Sequence, residues 1–131
     1  KVFTGFDIIG YRLDDEYMKG ILDFVLNSHS STGGCNVYDY VYVLAKCIEY
    51  DYRTTEAKSE LLKIYDDILT YQQSDGGFSY GKDSTQTTYY GQSITPGHKV
   101  GGIHGTTLFS MALSKIDNAL DLGLGLNLAV S

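Results

Sequence analysis

The sequence predicts an all-α fold of helical hairpins that meet at Gly-Gly turns. Three observations carry this prediction. Four stretches repeat apolar residues at the i, i+3, i+4, i+7 spacing that gathers them on one helix face. Two Gly-Gly pairs, Gly33-Gly34 and Gly76-Gly77, follow the first and third of these stretches. The chain also matches itself at a shift of 43 positions, which places Ile21 on Ile64, Val25 on Ile68, Leu26 on Leu69 and Gly33-Gly34 on Gly76-Gly77. Self-similarity at a fixed period is the mark of a repeated supersecondary unit.

The first helix is expected to start at Asp14 or Asp15, whose carboxylate caps it, and to bury Met18, Ile21, Leu22 and Val25. It ends near Ser28, where Ser30, Ser31, Thr32, Gly33 and Gly34 make a turn. The second helix carries Val37, Val41, Leu44, Ala45 and Ile48 and runs to about Tyr50. The third is capped by Thr54 or Thr55, has Glu56 in its first turn, and faces inward with Leu61, Ile64, Tyr65, Ile68 and Leu69. The fourth opens near His104 and buries Leu108, Met111, Ala112 and Ile116. Strand signals are few. Val41-Tyr42-Val43 is β-prone but lies within a helical stripe, and Thr87 to Tyr90 is the other candidate. Lys1 to Leu13 reads as the tail of a preceding element, and Leu122 to Ser131 as a strand-like extension or a frayed end.

Each unit thus reads helix, polar turn, Gly-Gly, helix, over roughly 14–50 and 54–120. In the second unit a long segment, Ser79 to Gly102, intervenes before the last helix. Glycine ends a helix cheaply because it accepts positive φ. A helical hairpin cannot bury its apolar face alone, so neighbours must stack. Two units do not close a ring; further units would come from a longer parent chain or from self-association.

The 131 residues are sized for one domain. Apolar residues at 43% and charged residues at 20% make a globular chain, not a disordered one. The net charge of -6 excludes nucleic acid as a partner, because phosphate binding needs surplus Lys and Arg. No apolar run reaches the roughly 20 residues that span a bilayer. The chain opens on Lys1 and not on Met, which reads as a processed form or a piece of a longer protein, and the compartment stays open. Cys35 and Cys47 form no metal-binding or redox pair and read as two buried thiols. The 12 tyrosines suit helix packing or contacts to a glycan.

At Gln72-Gln73-Ser74-Asp75-Gly76-Gly77-Phe78-Ser79 the chain resembles the superfamily of terpenoid cyclases and protein prenyltransferases. The resemblance covers roughly residues 14 to 120. It implies a partial α/α-toroid, with inner and outer helices alternating around a cavity and a ligand bound at the Gly-Gly end of the inner helices. In the prenyltransferases an Asp, a Cys two positions later and a His opening a later helix hold zinc. Asp39 and His104 match the first and third, but Val41 stands at the cysteine position. Valine cannot replace a thiolate ligand, so no metal and no other cofactor is assigned. The cyclase D-x-D-D motif is broken by Arg12, and a thioester-forming run is broken after Gly34-Cys35.

The candidate catalytic residues are His104, Asp39 and Tyr90. His104 follows Gly101-Gly102 at a helix start, where the dipole favours a neutral, basic imidazole; a capping or packing role is the plainer alternative. Asp39 lies one turn after Asn36 and reads as a ligand, a general base or a first-turn anion. Asn36, Tyr89, His98 and Phe78 are the candidate ligand-binding residues, with N-capping as the alternative for Asn36. Tyr89, Tyr90 and His98 sit in the long polar loop, and such loops in compact domains carry function. A Tyr-His pair there could move the proton in polysaccharide β-elimination. Asp75 reads as the brace of its Gly-Gly turn. Three functions remain: a toroid module binding a small molecule, a polysaccharide lyase or glycan-binding toroid, and a non-catalytic helical-repeat interaction module. The sequence does not decide between catalysis and binding.

Overall fold

The computed structural model describes residues 2–28, 34–82 and 84–126. Over these residues the chain is mostly helical. The elements are α1 (Val2–Ile8), α2 (Asp15–Ser28), α3 (Gly34–Glu49), α4 (Thr54–Leu69) and α5 (Ile103–Leu120), with a small antiparallel hairpin, β1 (Thr88–Tyr89) and β2 (Gln92–Ser93), before α5. The four amphipathic stretches are four helices, α2 to α5, and the β-prone Val41-Tyr42-Val43 is helical. Among the described residues no helix is long and apolar enough to cross a membrane.

Asp14 accepts hydrogen bonds from the backbone N–H of Glu16 (3.0 Å) and Tyr17 (3.4 Å), as an N-cap should. Met18 and Leu22 of α2 are buried. The Tyr50 hydroxyl donates to the Leu13 carbonyl (3.2 Å), tying the start of α2 to the end of α3. Asp23, further along α2, accepts from the Tyr52 hydroxyl and from Arg53 (2.9 Å each), so α2 packs across the C-terminal end of α3. Residues 50–53 reverse the chain, and α4 returns along α3.

The start of α4 departs from expectation. Neither Thr54 nor Thr55 caps it; the N-cap is Arg53, in the left-handed region at φ 48° with no side-chain cap. Its guanidinium instead reaches Glu56 (2.6 and 2.8 Å) and Asp23 of α2 (2.9 Å), so an ion-pair bridge stands where a hydroxyl cap was expected. Leu69, expected in the core, is exposed, while Leu61 and Ile68 are fully buried. The helix ends at Leu69, and Tyr71 beyond it fills the core against Phe109, their rings 4.7 Å apart.

The central pair is α3 and α5, which pack on each other more extensively than any other two elements. Cys35 meets His104 at one end, and the Lys115 ammonium lies over the Tyr42 ring (3.8 Å) further along. The two helices therefore run side by side in the same direction, with α4 returning against them and α2 at the C-terminal end of α3. The core lies between, in Val37, Val41, Leu44, Cys47, Ala57, Phe109, Ala112 and Ile116.

Both ends pack back on the helices. Residues 2–8 form α1, which docks on α3 through Asp7: its carboxylate accepts from the Tyr42 hydroxyl and from Lys46 Nζ (2.6 Å). At the other end Asp117 accepts the N–H of Leu124 and of Leu126 (3.0 Å each), folding residues 122–126 back on α5. The expected turn residues Ser30, Ser31, Thr32 and Gly33, and the last residues 127–131, lie outside the described residues.

Candidate functional site

The N-terminal ends of α3 and α5 lie together, and the turn at Gln72 to Ser79 fixes their spacing. Asp75 braces this turn as expected, accepting the N–H of Gly77 (3.0 Å), and it also reaches across to the N–H of Gly101 (2.9 Å). Phe78 donates its N–H to Thr106 Oγ1 (3.0 Å) and accepts the N–H of Gly102 (3.0 Å). These bonds nail the first turn of α5 to the Gly-Gly turn. The contact is so close that a Cβ on Gly105 would stand 2.6 Å from the Phe78 carbonyl oxygen. Only glycine permits that approach, and the residue before it is His104.

His104 is held on every side by residues from other parts of the chain. Its Nδ1 lies 2.7 Å from Gln86 Oε1. Its Nε2 lies 3.7 Å from Cys35 Sγ. With the amide oxygen accepting at Nδ1, that nitrogen carries the proton and the Nε2 lone pair faces the thiol. The Tyr80 ring stacks on the imidazole with centroids 5.1 Å apart, and Tyr89 meets it edge-on at 5.9 Å. Gln86 is itself anchored, since its carbonyl accepts from Thr95 Oγ1 (3.0 Å) beside the β1–β2 hairpin. The Tyr80 hydroxyl is hydrogen-bonded to Cys35, and this bond, more than burial, pushes the phenol up from its ordinary value. Tyr80 therefore keeps its phenolic proton beside the sulfur.

Cys35 is the second residue of α3 and is partly exposed. The expectation of two buried thiols holds for Cys47 and fails for Cys35. Burial pushes the Cys47 thiol up to about 11, so it stays protonated and inert at neutral pH. Cys35 instead sits in the first turn of a helix, where N–H groups lack carbonyl partners within the helix and the dipole is positive.

The other candidates fall in different places. Asp39 is exposed one turn beyond Cys35, on the same cleft wall. Asn36 is exposed in the first turn of α3 and is not its N-cap, because the helix already starts at Gly34. Tyr89 joins the cluster, whereas Tyr90 is 90% exposed at the hairpin tip, its ring 4.5 Å from that of Tyr89. His98 is exposed in a bend of the loop. Phe78 is a core residue, with its ring 5.9 Å from that of Phe109. Val41, at the position of the expected zinc thiolate, is fully buried. Among the described residues no three His, Cys, Asp or Glu side chains gather as a metal site.

Cys35, Tyr80 and Gln86 were not among the candidates. One signal was present for the first. Gly34-Cys35 and Gly102-Ile103-His104 both open helices that follow a Gly-Gly pair, and parallel helices bring such starts together. Nothing in the sequence marks Gln86, because its contact depends on the path of an irregular loop.

No family model, curated protein or solved structure matches the chain.

Proposed function

We propose that the chain is part of an α/α-toroid and that its Gly-Gly end carries a cysteine-nucleophile site for acyl transfer. Cys35 is the nucleophile, His104 the general base and acid, and Gln86 the positioning residue. The observation that supports this above all is the unbroken line from Cys35 Sγ to His104 Nε2 (3.7 Å) and from Nδ1 to Gln86 Oε1 (2.7 Å). Nucleophile, base and a third group orienting the base are what covalent catalysis requires. The toroid part rests on the Gln72-to-Ser79 turn and on parallel α3 and α5 with α4 returning between their ends in sequence. The proposed site keeps the Gly-Gly end of the helices and takes Cys35, rather than Asp39 or Tyr90, as the reacting group.

The reaction follows from these groups. His104 Nε2 takes the thiol proton as Sγ attacks the carbonyl carbon of an ester. N–H groups of the first turn of α3 face the developing oxyanion. The C–O bond then breaks, His104 returns the proton to the leaving alkoxide, and an acyl-thioester remains on Cys35. Water next attacks that thioester with His104 as base, the C–S bond breaks, and the proton returns to sulfur. The carboxylic acid leaves, and no oxidant or metal enters the balance. Tyr80 donates to the sulfur throughout and keeps it oriented.

The test uses p-nitrophenyl acetate. Intact-mass and peptide mapping should find one acetyl group on Cys35 and none on Cys47. Cys35→Ala should abolish that label. His104→Ala should slow acylation by about 10² to 10⁴-fold, the usual weight of a positioned general base. Acetyl groups found only on lysines, or an unchanged rate in His104→Ala, would sink the proposal.

A further inference from the structure

Two clefts meet at the Cys35–His104 pair. One, of about 480 Å³, runs between α1, α3 and α5, and its walls include Cys35, Tyr38, Leu108, Met111 and Ile8, with Asp39 on the α3 side. The other, of about 310 Å³, is walled by Tyr89, Ile94, Ile103, Thr107 and His104. The nucleophile is in the wall of the first, and the proton donor to the leaving group is in the wall of the second. That arrangement orders a substrate: acyl group along α3 and α5, leaving group on the hairpin side.

We infer that the substrate is a neutral ester whose acyl group is an apolar chain lying in the α1–α3–α5 cleft. This rests on the proposed role of Cys35. The cleft walls are helices, whose interior N–H and C=O groups are already paired with each other. An extended peptide would therefore bury its own amides unpaired, at a cost a hydrocarbon chain does not meet. Charge narrows the class further. Asp39 stands on the cleft wall and the chain carries a net charge of -6, so a substrate bearing several negative charges is repelled. An uncharged ester fits where a polyphosphate-bearing thioester does not.

The experiment is a series of p-nitrophenyl acetate, butyrate and octanoate, with the second-order rate of Cys35 acylation read by mass and by nitrophenolate release. The rate should rise by about 10-fold or more from acetate to octanoate, as methylenes leave water for the cleft. Leu108→Gln and Met111→Gln should each flatten that rise, read as the ratio of the octanoate rate to the acetate rate within each variant. Met111→Gln is the second variant because Leu108 also packs near Gly34. A flat series with normal acetate labelling overturns this inference and leaves the catalytic proposal standing. A rise that survives both substitutions also overturns it, by moving the chain elsewhere. No acylation of Cys35 by any ester overturns both.

Discussion

His104 shows how much a single side chain can depend on distant neighbours. Its position comes from Gly105, which lets α5 touch the Phe78 carbonyl, and its ring orientation comes from Gln86, 18 positions earlier. If Gln86 orients the base, Gln86→Ala should slow Cys35 acylation by about 10-fold, well short of the loss from His104→Ala. Gln86→Glu keeps an acceptor at Nδ1 and should restore most of the rate. A merely structural Gln86 would show instead an equal loss of thermal stability in both variants and no rescue. At this scale the sequence was half legible. The place of His104 at a helix start was legible because helix starts after Gly-Gly pairs are recognisable locally. The contact of Cys35 with His104 was not, because it joins two helices far apart in sequence. Phe78, a candidate ligand contact within the Gly-Gly turn motif, fills the space beside Phe109 instead.

The helices themselves were legible because their apolar periods agree with their tertiary faces, as for Met18 and Leu22 in α2 or Leu61 and Ile68 in α4. Their ends were less so. Arg53 holds the start of α4 through Asp23, a residue on another helix, and no local capping rule contains that information. The short α1 is similar, since it carries no buried residue and is held through Asp7. Burial alone would raise the Asp7 carboxyl, but hydrogen bonds from Lys46 and Tyr42 outweigh it and hold it below its ordinary 3.8. A depressed carboxyl stabilises the folded state above its unfolded value, and that contribution is lost as pH falls through the folded value. Amide hydrogen exchange of α1 followed from about pH 6 to about pH 2 should therefore show protection that holds through weak acid and collapses only below the ordinary carboxylate range. Protection already absent at the upper limit, or unchanged at the lower one, would show that Asp7 does not hold α1. Release of α1 would also open the cleft between α1, α3 and α5, because Ile8 is part of its wall.

At the scale of the whole molecule, the site belongs to no single segment. It joins the start of α3, the loop from Tyr80 to Tyr89 and the start of α5, and it exists because α3 and α5 run parallel with their first turns level. The 43-residue self-match hinted at that geometry, since equivalent hairpins place equivalent helix starts at one end. It could not show which side chains meet there, because Tyr80, Gln86 and Tyr89 come from the long segment between the Gly-Gly turn and α5, which has no counterpart before α3. The most direct test compares the two cysteines in one protein. Iodoacetamide at neutral pH should alkylate Cys35 at least about 10-fold faster in the wild type than in His104→Ala, because the imidazole takes the thiol proton. Cys47, fully buried and with its thiol pushed up to about 11, should stay unlabelled until the chain unfolds. Equal Cys35 rates with and without His104 would contradict the account.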